Sequence, residues 1–196
     1  MKSLLTSLFS LAVLCGCTSL GQLDSTARAS RKGESIFVIG VSPPNHRVSV
    51  FPGDIDDGVF HQSLFLPAAL YGSAKDGFVV GKASAGEVLA ITNVRVVSDE
   101  DALIRGQNFA PCYGAKTFVF QVPKGKVIYI GSAAYFFRNE KLEVHYRNDF
   151  EMAKNYIDAN YPELKGLLEY QEPQLLPIAK NCNPGPMFMP IYIKSK

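Results

Sequence analysis

Seven residues constrain this chain more than any others: Leu142, Val144 and Tyr146 alternate without a break against Lys141, Glu143, His145 and Arg147. Successive side chains of a strand point to opposite faces, so this period of two specifies a β-strand with one wet face and one face on a core. Such a strand needs partners for its backbone, and the neighbouring sequence supplies them. Thr117 to Val122 alternates with Phe118, Phe120 and Val122 on one face, and Pro123-Lys124-Gly125 then leads into Val127 to Ile130, which reads as a hairpin. A second hairpin pairs Ala134 to Phe137 with Leu142 to Tyr146 around Arg138-Asn139-Glu140. Further upstream, Ser35 to Val41 is apolar on both parities, as in a strand covered on both faces. Arg47 to Val50 alternates, with Val48 and Val50 inward and Arg47 and Ser49 outward, and Pro52 to Gly58 is a turn cluster. Val59-Phe60, Leu64 to Tyr71 and Phe78 to Val80 are short apolar pieces, and Pro67 excludes the second from a central strand. Glu87 to Val97 is a longer strand.

The period changes at Asn148. Asn148 followed by Glu151 looks like a capping box, and Phe150, Ala153 and Ile157 recur at helical spacing until Asn160 and Pro162 stop them. The spacing predicts one amphipathic helix over 149–160, packed on a sheet through its Phe150 side. Many short strands, turn clusters between them and a single helix near the C-terminus define a mainly β chain, an antiparallel sandwich or open barrel. The domain is expected over 34–168. A long loop, 98–115, interrupts it with Asp99, Glu100, Asp101 and Cys112, and a tail rich in Pro and Gly, 169–196, is expected to pack on it, with Met187 to Ile193 as a last edge strand.

The first seventeen residues carry an address. Lys2 gives a positive start, Leu4 to Leu14 is a short apolar run and Leu14-Cys15-Gly16-Cys17 closes it. A span needs roughly twenty apolar residues, so this run is too short for a permanent anchor and reads as an export signal, residues 1–16. The closing four residues resemble the bacterial lipobox. That resemblance implies cleavage after Gly16, a diacylglycerol on the Cys17 sulfur and an acylated amino terminus, with palmitate as the acyl group. Thr18 in place of Asp after the lipidated position implies, by analogy with sorting in Gram-negative bacteria, the outer membrane's periplasmic face. Residues 17–33 are polar and charged, and a leash of that composition spans about 20–24 Å.

Removing the signal leaves about 180 residues, enough for one domain with a real core. Twenty Lys and Arg against 18 Asp and Glu make the chain nearly neutral, which argues against nucleic acid as a partner. The cationic cluster Arg28, Arg31 and Lys32 reads as a solvated tether within reach of anionic headgroups. Cys15 leaves with the signal and Cys17 takes the lipid. Cys112 and Cys182 are then candidates for a disulfide in an oxidising compartment, with two unpaired thiols as the alternative.

Glu87 to Thr92, Val122 to Gly131, and Asn148 to Ala153 leading to Tyr161-Pro162 together resemble bacterial cell-envelope lipoproteins of uncharacterised type. That resemblance implies a transthyretin- or immunoglobulin-like β-sandwich at the envelope over Ile36 to Leu168, and it transfers no catalytic residue.

Candidate chemistry is sparse. His46, His61 and His145 are scattered, without a second ligand at metal spacing. Asp54, Asp56 and Asp57 crowd one turn and are weak calcium candidates, since the spacing departs from an EF-hand loop. Ser84, in Gly81 to Gly86, lacks the glycine a nucleophile elbow needs two residues before it and reads as a turn between strands. Tyr135, Phe136 and Phe137 are consecutive strand aromatics, expected to be covered on both faces. The sequence therefore predicts a membrane-anchored module that binds an envelope protein, with neither a catalytic residue nor a cofactor. The alternatives are a hydrolase with its site in the 98–115 loop and a carrier of a small ligand or metal.

Overall fold

The structure, a computed structural model, describes residues 19–29, 33–97, 106–112, 114–138 and 141–179. Among the described residues, twelve strands and one α-helix follow in the order β1 (Glu34–Ser42), β2 (Arg47–Asp56), β3 (Val59–Gln62), β4 (Leu70–Ser73), β5 (Phe78–Ser84), β6 (Val88–Val96), β7 (Gln107–Phe109), β8 (Lys116–Gln121), β9 (Val127–Arg138), β10 (Lys141–Arg147), α1 (Phe150–Asn160), β11 (Leu168–Tyr170) and β12 (Gln174–Pro177). They build a β-sandwich. One sheet runs β10-β9-β1-β5, with β11 also on β9. The other runs β12-β8-β6-β2-β3, with β4 also on β2 and β7 on β6. Pairing is antiparallel except where β1 and β11 flank β9, both parallel to it.

Between the sheets lies the main core, which includes Phe37, Ile39, Val48, Val50, Leu89, Ile91, Phe118, Phe120, Ile128 and Ile130. The other face of β1 and β5, with Ile36, Val38, Phe78 and Val80, packs under α1 through Ala153, Tyr156 and Ile157. Both faces of β1 are therefore covered, as its unbroken apolar run requires. The helix begins at Phe150 rather than through a capping box. Asp149 is its N-cap without a side-chain bond, and the Asn148 carboxamide oxygen accepts from the Phe150 amide at 3.2 Å.

Four sequence expectations change. Arg47 and Ser49 are buried rather than wet, because β2 is central. Arg47 stands between Ser73 and Arg95, and Ser49 between Tyr71 and Asn93, whose side chains share that face. The turn cluster at Pro52 to Gly58 is mostly strand, and only Asp57 and Gly58, both at positive φ, make the two-residue turn into β3. Thr117 to Val122 and Val127 to Ile130 are not a hairpin. β8 and β9 lie in different sheets, and Pro123 to Gly125 carries the chain across the sandwich, because the apolar faces of both strands are satisfied by facing each other across the core. Finally, Val127 to Ile130 and Ala134 to Phe137 are one strand. Its register against β1 slips at Gly131, whose φ of 144° suits glycine and where a Cβ would stand 2.8 Å from the Phe118 ring.

Both ends of the described chain close the sandwich. The described part of the expected leash, 19–29, lies on the domain: Leu20 bridges Tyr71 of β4, Gln22 bridges Gly81 of β5, and Leu23 and Ala27 pack against the helix layer. The tail passes from β11 on one sheet to β12 on the other. Ile178 then meets Phe60 of β3, so the second sheet curls until its two edges touch around Phe60, Ala90, Val119 and Ile178. The domain thus runs on to at least Ala179. Met187 to Ile193, like residues 98–105, lies outside the described residues.

Candidate functional site

The largest of the clefts described opens where β1, β5 and β9 meet the start of α1. It holds about 560 Å³ and is lined by Ser42, Pro44, Lys75, Asp76, Ser132, Arg147, Asp149 and Met152, among others. Local sequence places each wall. Lys75 to Phe78 is a tight turn with Asp76 and Gly77 at positive φ, and Arg147 is the outward end of the alternating strand β10. Ser132 opposes Gly40 of β1 in register, and any side chain at residue 40 would run into the Ser132 hydroxyl.

Buried beneath the cleft, and reaching it at Ser132, is a short polar relay. The Tyr129 hydroxyl lies 2.8 Å from Ser132 Oγ and accepts from the Asp149 amide at 3.0 Å. Burial holds the Tyr129 phenol above its ordinary value, against the opposing pull of Ser132, so it stays protonated at neutral pH and acts as a fixed hydrogen-bonding group. Above it, Arg147 pairs with Asp149 at 3.5 Å, half exposed. Lys75 and Arg147 against Asp76 and Asp149 form a mixed-charge surface that suits a zwitterionic or hydrogen-bonding ligand. The Ser132 hydroxyl is held by a phenol rather than by an imidazole or carboxylate, so the relay orients the helix start and supplies no activated nucleophile. Sequence reasoning missed Tyr129 and Ser132, because both lie in apolar strand runs and their proximity depends on the slip at Gly131.

The remaining candidates are dispersed. His46 is buried, its Nδ1 3.2 Å from Asn45 Oδ1 and its ring stacked on Tyr135, and burial pushes it below its ordinary value. His61 is exposed, and His145 faces the Phe136 ring. Asp54, Asp56 and Asp57 are exposed along the β2–β3 hairpin, and among the described residues no three His, Cys, Asp or Glu side chains come together as a metal site. Ser84 is the last residue of β5, opposite Glu34, rather than in the turn, and its amide donates to Glu87 across the turn into β6. Tyr135 is buried, but Phe136 and Phe137 are 41% and 48% exposed, since β9 runs past the edge of the covering layers.

Of the 98–115 loop, the described Phe109, Ala110 and Pro111 line a cavity of about 40 Å³ with Ile91, Tyr135 and Val144, a space for one or two waters and without a carboxylate in its lining. Cys112 is buried, and Cys182 and Cys17 lie outside the described residues. No described helix is long and apolar enough to cross a membrane. Compared with protein-family models, curated proteins and solved structures, the chain matches none of them.

Proposed function

We propose that this protein is an acyl-anchored lipoprotein of the bacterial cell envelope, a sandwich that presents its polar cleft and exposed loops to an envelope partner and catalyses no reaction. The observation that carries the reading is Leu14-Cys15-Gly16-Cys17 at the end of a short apolar run, immediately before a chain that is docked on a folded domain from Ser19 onward. Further support comes from the cleft, where opposed charges and the Ser132 hydroxyl can bind but are not arranged as nucleophile and base. Attachment at Cys17, the outer membrane's periplasmic face and kinship with envelope lipoproteins belong to this proposal, as does a Cys112–Cys182 bridge. Such a bridge would close a loop of about 70 residues and contribute roughly 4 kcal/mol in the chain-entropy model. A non-reducing peptide map lacking the linked pair would remove it.

The test of the anchor is metabolic labelling with palmitate in a bacterium that processes lipoproteins. The wild-type chain is expected to take up label and sediment with membranes, and Cys17→Ser is expected to lose the label. Label retained by Cys17→Ser would contradict the assignment. A second reading, carriage of a small polar ligand, is favoured by the cleft's size, which lies in the range of small-molecule sites. Thermal stabilisation by a panel of amino acids, abolished by Arg147→Ala, would support it, and no shift with any of them would count against it.

A further inference from the structure

We propose that the loop between β3 and β4 is a second membrane contact: Leu64, Phe65 and Leu66 enter the headgroup and acyl boundary of the bilayer that carries the Cys17 anchor. The idea rests on the lipoprotein reading for the identity of the bilayer, and on three independent features of the loop.

First, the tip is bare. Leu64, Phe65 and Leu66 are 88%, 96% and 50% exposed, three consecutive large apolar side chains facing water, and Leu20 on the same sheet edge is 54% exposed. Between Asp57 and Lys75 the chain has no Asp, Glu, Lys or Arg, so no charged side chain in the loop opposes contact with an apolar medium.

Second, the loop is built to project. The Pro52 carbonyl accepts from Ser63 on the β3–β4 edge of β2. Its nitrogen, which has no hydrogen, points into the same gap and cannot continue the ladder there. β3 ends opposite Gly53 and β4 begins opposite Val50; the Ser63 and Ala69 amides still donate to the Pro52 and Val50 carbonyls, and residues 64–68 are left outside the sheet. The Ser63 hydroxyl accepts from the amides of Phe65 and Leu66 at 3.4 and 3.3 Å, folding the backbone of the tip on itself while the side chains point out.

Third, the described residues nearest the proposed anchor lie on the same edge. Leu20 pairs with Tyr71 on the outer side of β4, Ser19 lies against Gly72, and Gly21 sits so close to the Ala69 carbonyl that no Cβ would fit. Cys17 is two residues before Ser19, at most about 7 Å of extended chain. Leu20 and the apolar tip lie on one sheet edge, and a bilayer within that reach of Ser19 can lie along the edge against both. The occupant is lipid because the loop lacks charge for an electrostatic partner and the lipid is covalently delivered to its edge.

The chain contains no Trp, so a single substitution gives a single indole. The full lipidated chain carrying Phe65→Trp, and separately Leu167→Trp at an exposed site beyond the helix, is reconstituted in vesicles of phosphatidylethanolamine and phosphatidylglycerol with and without brominated acyl chains. The indole at position 65 is expected to shift to the blue on vesicle addition and lose emission to bromine, while that at 167 does neither. Raised salt leaves the result unchanged, since the contact is apolar. Equal access of aqueous iodide to both indoles, equal quenching of both by bromine, or a blue shift at 65 without vesicles, as from a second copy of the chain, would each overturn the proposal. The mass of the N-terminal peptide in the same sample separates the two ideas. Acylated Cys17 with an unquenched indole at 65 rejects the tip alone, and quenching on a chain unmodified at Cys17 sustains the tip and rejects the anchor.

Discussion

The two ends of the described chain close the sandwich by unequal means. At the C-terminal end, β11 and β12 add three register pairs to β9 and four to β8, and Ile178 reaches the fully buried Phe60 of β3. At the N-terminal end there are isolated bridges at Leu20 and Gln22, a hydrogen bond from the Leu23 amide to Val80, and one from the Tyr161 hydroxyl to the Leu23 carbonyl at 3.1 Å. The first closure is part of a core and should open only when the domain unfolds. The second has few buried contacts and should open alone, at the low end of local stability. The contrast would suit the anchor proposed at Cys17, because the weaker closure is the one nearer that residue in the chain and could open without unfolding the domain.

The largest test of this contrast is Phe60→Ala. Emptying a fully buried aromatic site should cost about 3–5 kcal/mol, read as a lower urea midpoint, and should expose the 174–179 amides to exchange. A loss confined to 174–179 with an unchanged midpoint would show that the C-terminal closure also opens independently. Gly21→Ala should act on the other side. Its φ of 71° and the Ala69 carbonyl oppose a Cβ, for about 1–2 kcal/mol, read as faster exchange at Leu20 and Leu23 with little change in the global midpoint. Tyr161→Phe is milder, about 1 kcal/mol for the lost bond to Leu23, again seen locally by proteolysis within 19–29.

Alkali sharpens the comparison further. Burial raises the phenols of Tyr129, Tyr156 and Tyr161 above their ordinary value of 10.0. The unfolded chain therefore loses these protons first, so their stabilising effect is intact below about pH 10 and falls as pH rises toward the folded values. The loss should appear first around the helix layer and residues 19–29, and less in β12, which contains none of these tyrosines. Stability that stays flat from pH 9 to pH 12 would contradict it.

What the sequence made legible follows from how local each signal is. The doubly apolar run at Ser35 to Val41 is buried throughout, and in β10 Leu142 and Val144 are buried and Arg147 exposed as the alternation requires, while Glu143, His145 and Tyr146 are all half-buried. The route between Val122 and Val127 was not legible, because a Pro-Lys-Gly connection serves a hairpin or a crossing between sheets and only the far partners of β8 and β9 decide. Arg47 and Ser49 misled for the same reason: alternation marks a wet face only where no neighbouring strand brings its own side chains over it. The polar cleft was invisible, since Ser42, Lys75, Ser132 and Arg147 come from four separate parts of the chain. The Leu64 to Leu66 run was visible as apolar, but its exposure follows from Pro52, twelve residues earlier than Leu64, stopping the ladder.

The proposed role turns on the state of the Cys17 sulfur. Mass spectrometry of the mature protein, purified from the membranes of a bacterium with lipoprotein-processing enzymes, reads it directly. The expected result is a chain that begins at Cys17 and carries a diacylglycerol thioether. A mature chain with an unmodified Cys17 thiol would contradict it.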